Sequence, residues 1–263
     1  MAGLAGGRPL FIMALEPLKT RHPIVLAHGA LGFVGYPGLE YFRGVRRMLE
    51  REGNRVFAWR VPNWKATVEQ RARALLGHLR EHGHEGPFHI IAHSMGGLDA
   101  RHLISRLGAA DLAVSLTTVA TPHHGTVAAE VRNRAFRSVG LMSPRVVSAR
   151  FLEHMAIFTG EWSRRFNDET PDAPHVRYRS WAGATPLWRT SPVLWPTHRL
   201  LTRREGPNDG LVSVASAIQR PELHAGTIPA DHFVQLGWRT GLGGYDHRSL
   251  YRTMVRELVE AGL

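Results

Sequence analysis

One serine stands where chemistry can use it. Ala92-His93-Ser94-Met95-Gly96-Gly97 directly follows the apolar run Phe88-His89-Ile90-Ile91-Ala92 and opens a helical stretch. A serine at a tight strand-to-helix turn has its hydroxyl lifted above the sheet, where a substrate can reach it. That turn brings the backbones two residues before and two after the serine close together, so both positions need small residues. Ala92 fills the first, where glycine is commoner, and Gly96 fills the second. The bare pattern means little; its place between a strand and a helix makes Ser94 the candidate nucleophile. Attack on an acyl carbonyl builds negative charge on oxygen, which preorganised N–H donors must meet. One such donor is the amide after the nucleophile, here Met95. The other comes from a loop after an early strand, here His28-Gly29-Ala30-Leu31-Gly32-Phe33, which follows Pro23 to Ala27 and offers the Ala30 amide. The flanking glycines allow close backbone approach.

A serine needs a base, and the base an orienting carboxylate. On a strand–turn–helix scaffold of the α/β-hydrolase kind they follow in the order Ser, acid, His. Asp209, in Gly206-Pro207-Asn208-Asp209-Gly210-Leu211-Val212, sits in turn chemistry that presents one carboxylate at a sheet's edge. Asp99 lies one helical turn past Ser94 and cannot fold back to a histidine, and Asp168 and Asp172 fall in an inserted segment. Three histidines follow Asp209. His224 precedes the last strand, and His247 follows Asp246, the expected N-cap of the last helix. His232, in Pro229-Ala230-Asp231-His232, leaves the carboxyl end of the last strand, where ligand chemistry happens in open α/β sheets. His232 is the assigned base, with His247 and then His224 as alternatives.

The elements that must position these residues alternate. Strands are predicted at Pro23 to Ala27, Arg55 to Trp59, Phe88 to Ala92, Val114 to Ala120, Val176 to Ala182 and Ala225 to Ile228, with Leu211 to Val214 as a candidate continuation of the sheet. Helices are predicted at Leu39 to Arg51, Ala66 to His82, Gly96 to Leu107 and Arg248 to Leu258. Val68, Ala72, Leu75 and Leu79 share one face of the second helix. Such alternation implies a mostly parallel sheet with helices on both faces, in one domain spanning residues 1–263. From Thr126 to Ala173 there is helical periodicity but no strand. Phe151, Met155, Phe158, Trp162 and Phe166 form an apolar stripe there, to be read either as core or as the inner face of a helical cap over a pocket. Thr185 to Pro207 reads as a loop rich in Trp and Pro.

Composition excludes several classes. With 263 residues, 43% hydrophobic and 21% charged, the chain suits a soluble globular domain. No apolar run is long enough to cross a membrane. The absence of cysteine removes disulfides and thiolate chemistry. The net charge of +11 is almost all arginine, since only Lys19 and Lys65 are lysines. The arginines are scattered, and no nucleic-acid-binding motif accompanies them, which argues against a nucleic-acid partner. The first 21 residues lack the apolar segment and cleavage site of a signal peptide, so a cytoplasmic location is expected unless a leader has been removed.

The wording PIVLAHGALGF, AHSMGGLDARHL, TTVATPHHGT, VRYRSWAGA and GPNDGLVSV resembles the bacterial triacylglycerol lipase family, from about Pro23 to Gln235. The resemblance implies an α/β-hydrolase fold and the triad Ser94, Asp209 and His232. It further implies an oxyanion hole from Ala30 and Met95, and a lid over residues 126–173. Secreted members carry a structural calcium held by an aspartate upstream of the catalytic acid and another two positions after the catalytic histidine. Thr185 to Asn208 contains no aspartate here, and the second position is Val234, so no metal and no cofactor is expected. The expected activity is hydrolysis of lipid or other apolar acyl esters through an acyl-enzyme, with transient contact with lipid interfaces. The alternatives are an acyltransferase or thioesterase on the same triad, or a non-catalytic binding protein on the same fold.

Overall fold

The computed structural model describes residues 18–30, 40–62, 66–82, 86–138, 157–238 and 244–263. Its sheet is built from β1 (Ile24–Ala27), β2 (Val56–Phe57), β3 (Phe88–His93), β4 (Ala113–Val119), β5 (Arg177–Gly183) and β6 (His224–Ile228). Their spatial order is β2-β1-β3-β4-β5-β6, and every pairing is parallel. The helices are α1 (Val45–Arg51), α2 (Val68–Glu81), α3 (Met95–Arg106), α4 (Val127–Ser138), α5 (Gly160–Glu169), α6 (Trp195–Arg204), α7 (Val214–Ala217) and α8 (His247–Glu260).

β1 and β3 are buried along their whole length, as expected of central parallel strands covered on both faces. Their side chains alternate between two cores. Ile24, Leu26, Ile91, Val119 and Trp181 meet Val45 and Leu49 of α1 and Tyr251, Met254 and Val255 of α8. Val25, Ala27, Ile90, Ala92 and Leu116 meet Ala72, Leu75 and Leu79 of α2 and Leu103 of α3. α2 starts with a capping box, in which the Thr67 hydroxyl accepts from Gln70 N and the Gln70 side chain accepts from Thr67 N. The chain leaves β1 for β2 on one side and returns to β3 on the other. The β1/β3 carboxyl edge is therefore the switch point of the sheet, where a crevice opens in folds of this kind.

Three expectations need correction or bounding. Leu211 to Val214 adds no strand: Asp209 Oδ1 accepts from the Leu211 and Val212 amides, and Ser213 caps the short α7. Those side-chain acceptors take the amides that a ladder would need. The predicted loop Thr185 to Pro207 contains helix α6, whose Pro196 lies in the first turn, where a missing N–H costs nothing. In the inserted segment, α4 and α5 are helical as expected, while Phe151 and Met155 lie outside the described residues. Phe166 is buried and Phe158 and Trp162 are half-buried, packed with Val68, Met95, Leu98 and Ala30.

Candidate active site

Ser94 occupies the turn between β3 and α3 with φ 56° and ψ −130°, a region that non-glycine residues rarely adopt. The backbone around it over-determines this conformation. Ser94 N donates to Val119 O at 2.9 Å, and Ser94 O accepts from Gly97 N at 3.0 Å and from the Thr121 hydroxyl at 2.8 Å. A Cβ on Gly96 would lie 2.4 Å from Ala27 O, so only glycine lets α3 descend this close to the end of β1. Gly29 is equally constrained, because its Cβ would lie 2.5 Å from Tyr41 Oη and 2.9 Å from Ser94 Cβ. The loop after β1 and the serine turn are thus in contact across the switch point. Met95, the first residue of α3, contributes an amide of the positively polarised helix start, and half-buried Ala30 ends the described part of the β1 loop.

Asp209 and His232 are brought together as the motif order requires. His232 Nδ1 donates to Asp209 Oδ2 at 2.7 Å, and His232 N donates to Asp209 O at 2.9 Å. The carboxylate is wholly buried. Besides the Leu211 and Val212 amides it accepts from Gln235 Nε2 at 3.1 Å. The bond from Nδ1 to the carboxylate holds the imidazole in one tautomer, with Nε2 left as the acceptor nitrogen. The His232 ring lies 4.5 Å from the ring of His93, the residue before the serine. Of the alternatives, His247 heads α8 and bonds Arg43 O, and exposed His224 bonds Thr227. Neither joins the group.

Several supporting residues escaped the sequence reading. Arg71, fully buried on the apolar face of α2, donates through Nε to Asp99 Oδ2 at 2.8 Å. Its Nη2 donates to His28 O at 2.7 Å and Gly29 O at 3.2 Å, and Nη1 bonds Pro62 O. This guanidinium fixes the carbonyls of the β1 loop and so the direction in which the loop's amides point. Burial pushes Asp99 up to about 6 against the pull of Arg71, which still leaves it ionised at neutral pH. His28 donates through Nδ1 to Gly29 O at 2.7 Å and accepts at Nε2 from Val61 N at 3.1 Å. Burial, then the charge of Arg71, holds it down at about 4, so it remains neutral. Tyr41 Oη bonds His93 Nδ1 at 2.9 Å. The signal for Arg71 was available: a charge three residues after Val68 and four before Leu75 sits on the wrong face for a solvated arginine. Gln235 carried no comparable signal.

The donor set does not fit the calcium of the resembling lipases. Val234 offers no carboxylate, and the neighbouring Asp231 is fully committed. Its Oδ2 accepts from Ser191 N and Oγ at 2.7 and 2.6 Å, and its Oδ1 from Phe233 N and Val234 N at 2.9 and 2.8 Å. Glu205 likewise accepts from Val127 N at 2.6 Å and Ser213 Oγ at 2.5 Å.

No protein-family model matches the chain. It is 30% identical over 235 residues to triacylglycerol lipase 2 of Saccharomyces cerevisiae, covering 84% of this chain and 70% of the yeast protein. It is 28% identical to the triacylglycerol lipase of Vibrio cholerae over 93% of this chain and 90% of that protein. Among solved structures, a metagenomic carboxyl esterase superposes with a TM-score of 0.76 at 22% identity, over 99% of this chain and 82% of the other. Lipase 1 of Pelosinus fermentans gives 0.66 at 18%, over 91% and 98%. The two superpositions bear on fold, and the sequence relatives on family. The chain belongs to the triacylglycerol lipase family and is a carboxylic ester hydrolase of α/β-hydrolase fold.

Proposed function

We propose that the chain hydrolyses apolar acyl esters by a two-step acyl transfer with Ser94 as nucleophile, His232 as general base and Asp209 as its orienting acid. His232 Nε2 takes the proton from Ser94 Oγ as the oxygen attacks the ester carbonyl. The Ala30 and Met95 amides receive the developing oxyanion, aided by the start of α3. His232 then gives the proton to the departing alcohol, leaving an acyl-enzyme. Water, deprotonated by His232, attacks that acyl group, and the proton returns to Ser94 as the acid leaves. Asp209, through its bond to Nδ1–H, orients the ring and stabilises the imidazolium.

The observation that carries this reading is the strained Ser94 turn at the switch point, beside a histidine whose Nδ1 is held by a buried carboxylate at 2.7 Å. Apolar acyl groups are favoured by the apolar cluster next to the turn, where buried Met95, Leu98, Ile157 and Phe166 meet half-buried Phe158 and Trp162 beside Ala30. We assign residues 126–173 as a lid whose apolar stripe covers the acyl site and meets lipid on opening. The excess of positive charge would favour anionic lipid interfaces. A panel of p-nitrophenyl esters from acetate to palmitate, with fluorophosphonate labelling of wild type and Ser94→Ala, tests the reading. Labelling that survives in Ser94→Ala would overturn the assignment of the nucleophile.

A further inference from the structure

We propose that the last turn of α2 carries a site for one borderline divalent transition ion of the Zn2+ class, with His78, Glu81 and His82 as its ligands. The proposal is independent of the hydrolytic reading and uses residues outside that site.

The three residues lie at positions i, i+3 and i+4, which puts them on one helix face. Their ligand atoms lie within 4.8 Å of one another. Zn–N distances near 2.1 Å need about 3.4 Å between tetrahedral ligands, so small side-chain rotations would close the set. Glu81 Oε2 already stands 3.7 Å from His78 Nδ1.

The orientation of the two imidazoles is the stronger point. His78 Nε2 lies 2.9 Å from Arg60 O, and His82 Nδ1 lies 2.9 Å from His78 O. A carbonyl oxygen only accepts, so both of these nitrogens carry the proton. The remaining nitrogens, His78 Nδ1 and His82 Nε2, then hold lone pairs. Metal-binding histidines are commonly fixed this way, with the distal N–H given to a backbone carbonyl. The indole of Trp59 restrains both rings, stacked on His78 at 5.9 Å and 17° and tilted against His82 at 5.3 Å. The negatively polarised end of α2 adds a favourable field for a cation. Two imidazoles and one carboxylate suit Zn2+, Ni2+ and Cu2+ rather than Ca2+ or Mg2+, which prefer all-oxygen sites. A bound ion would brace the last turn of α2, whose His78 already bonds Arg60 O, and would act on the folded state only.

The test uses the full chain freed of metal with EDTA and then returned to plain buffer. Titration with Zn2+ is expected to show one ion per chain by calorimetry and to raise Tm, whereas Ca2+ and Mg2+ leave Tm unchanged. Cu2+ should bind more tightly than Ni2+ or Zn2+ and quench the Trp59 share of the fluorescence. His78→Gln and His82→Gln are each expected to weaken Zn2+ binding at least about tenfold, with hydrolysis of a soluble ester unchanged. Should His78→Gln disturb the packing on Trp59, the exposed ring of His82 makes His82→Gln decisive alone. Absence of Zn2+ and Cu2+ binding by the wild type, or one-to-one binding that His82→Gln leaves intact, would overturn the proposal.

Discussion

Arg71 offers a test of how the oxyanion loop is held. Replacing it with Met keeps most of the side chain's volume, though not its length, and removes the charge and every donor. Asp99, 2% exposed, then loses its one charged partner among the described residues, where its Oδ1 already lacks a hydrogen-bond partner. Breaking a buried pair by removing one member costs about 3–5 kcal/mol, a large part of a typical stability of about 5–15 kcal/mol. The carbonyls of His28 and Gly29 lose their donor in the same step. If the Ala30 amide drifts as a result, kcat should fall by about 10²–10³, the usual consequence of losing one oxyanion donor. The two effects separate in the double variant Arg71→Met/Asp99→Leu. An apolar pair of similar volume restores stability but returns no donor to the loop. Urea unfolding and the hydrolysis of a soluble p-nitrophenyl ester read both quantities. The expected result is recovered stability with kcat still low and KM little changed. A double variant with wild-type kcat would refute the reasoning, and would mean that Arg71 serves only to neutralise Asp99.

Ser94→Ala should lower turnover by about five to six orders of magnitude with the fold intact, checked by circular dichroism beside the rate. Asp209→Asn should cost about 10⁴-fold through the wrong imidazole tautomer, whereas Asp246→Asn, a change in the N-cap of α8, should leave the rate near that of wild type. Adding Ca2+ to metal-free protein should leave Tm and activity within error, because the Asp231 and Glu205 oxygens are taken by protein donors. Acid should destabilise the fold between pH 6.5 and 4. His28 and His89, held at about 4 mainly by burial, take up protons near 6.5 only when unfolded, so each withdraws about 3 kcal/mol of stability at pH 4. His93 and His123, also lowered mainly by burial, add to this loss, and Asp99, raised to about 6 by burial, offsets part of it. Urea midpoints across that range should give a shallower slope for His89→Phe than for wild type.

The strands and the candidate site residues were legible because each carries a local signal. β3 is a continuous apolar run, Ser94 follows it immediately, and Asp209 sits in a turn sequence that names its own conformation. His232 was preferred to His247 and His224 for its place on the loop leaving the last strand, and it is the one of the three that bonds Asp209. The missed contacts around the site are non-local. The Arg71–Asp99 pair joins two helices 28 residues apart, and Gln235 reaches back 26 residues to Asp209. Helix α6 was hidden by its own composition, since Trp and Pro suggest a loop unless the proline falls in the first turn. Leu211 to Val214 looked like a strand from its apolar residues alone, and side-chain capping decided otherwise.

A chain without cysteine, and with no aspartates at the two calcium positions, must hold its loops by other means, and one physical device recurs. Each loop at the working edge is pinned by a buried ionic side chain whose bonds run to backbone groups. Arg71 holds the carbonyls after β1, Asp209 the amides after its own turn, and Asp231 the amides of Phe233 and Val234 together with Ser191. Arg101, 5% exposed, does the same for the end of α5 through Thr170 O at 3.0 Å and Asn167 Oδ1 at 2.6 Å. A buried charge with several charge-assisted bonds is costly to leave half-satisfied, so each loop is confined to the arrangement that serves all of its bonds at once. This bears on the lid proposal. The carboxyl end of α5 is tied down by Arg101, whereas Phe158 and Trp162 at its amino end are only half-buried against Met95 and Ala30. Any opening should therefore turn about the Arg101 anchor, with the apolar contact beside Ala30 the first to part.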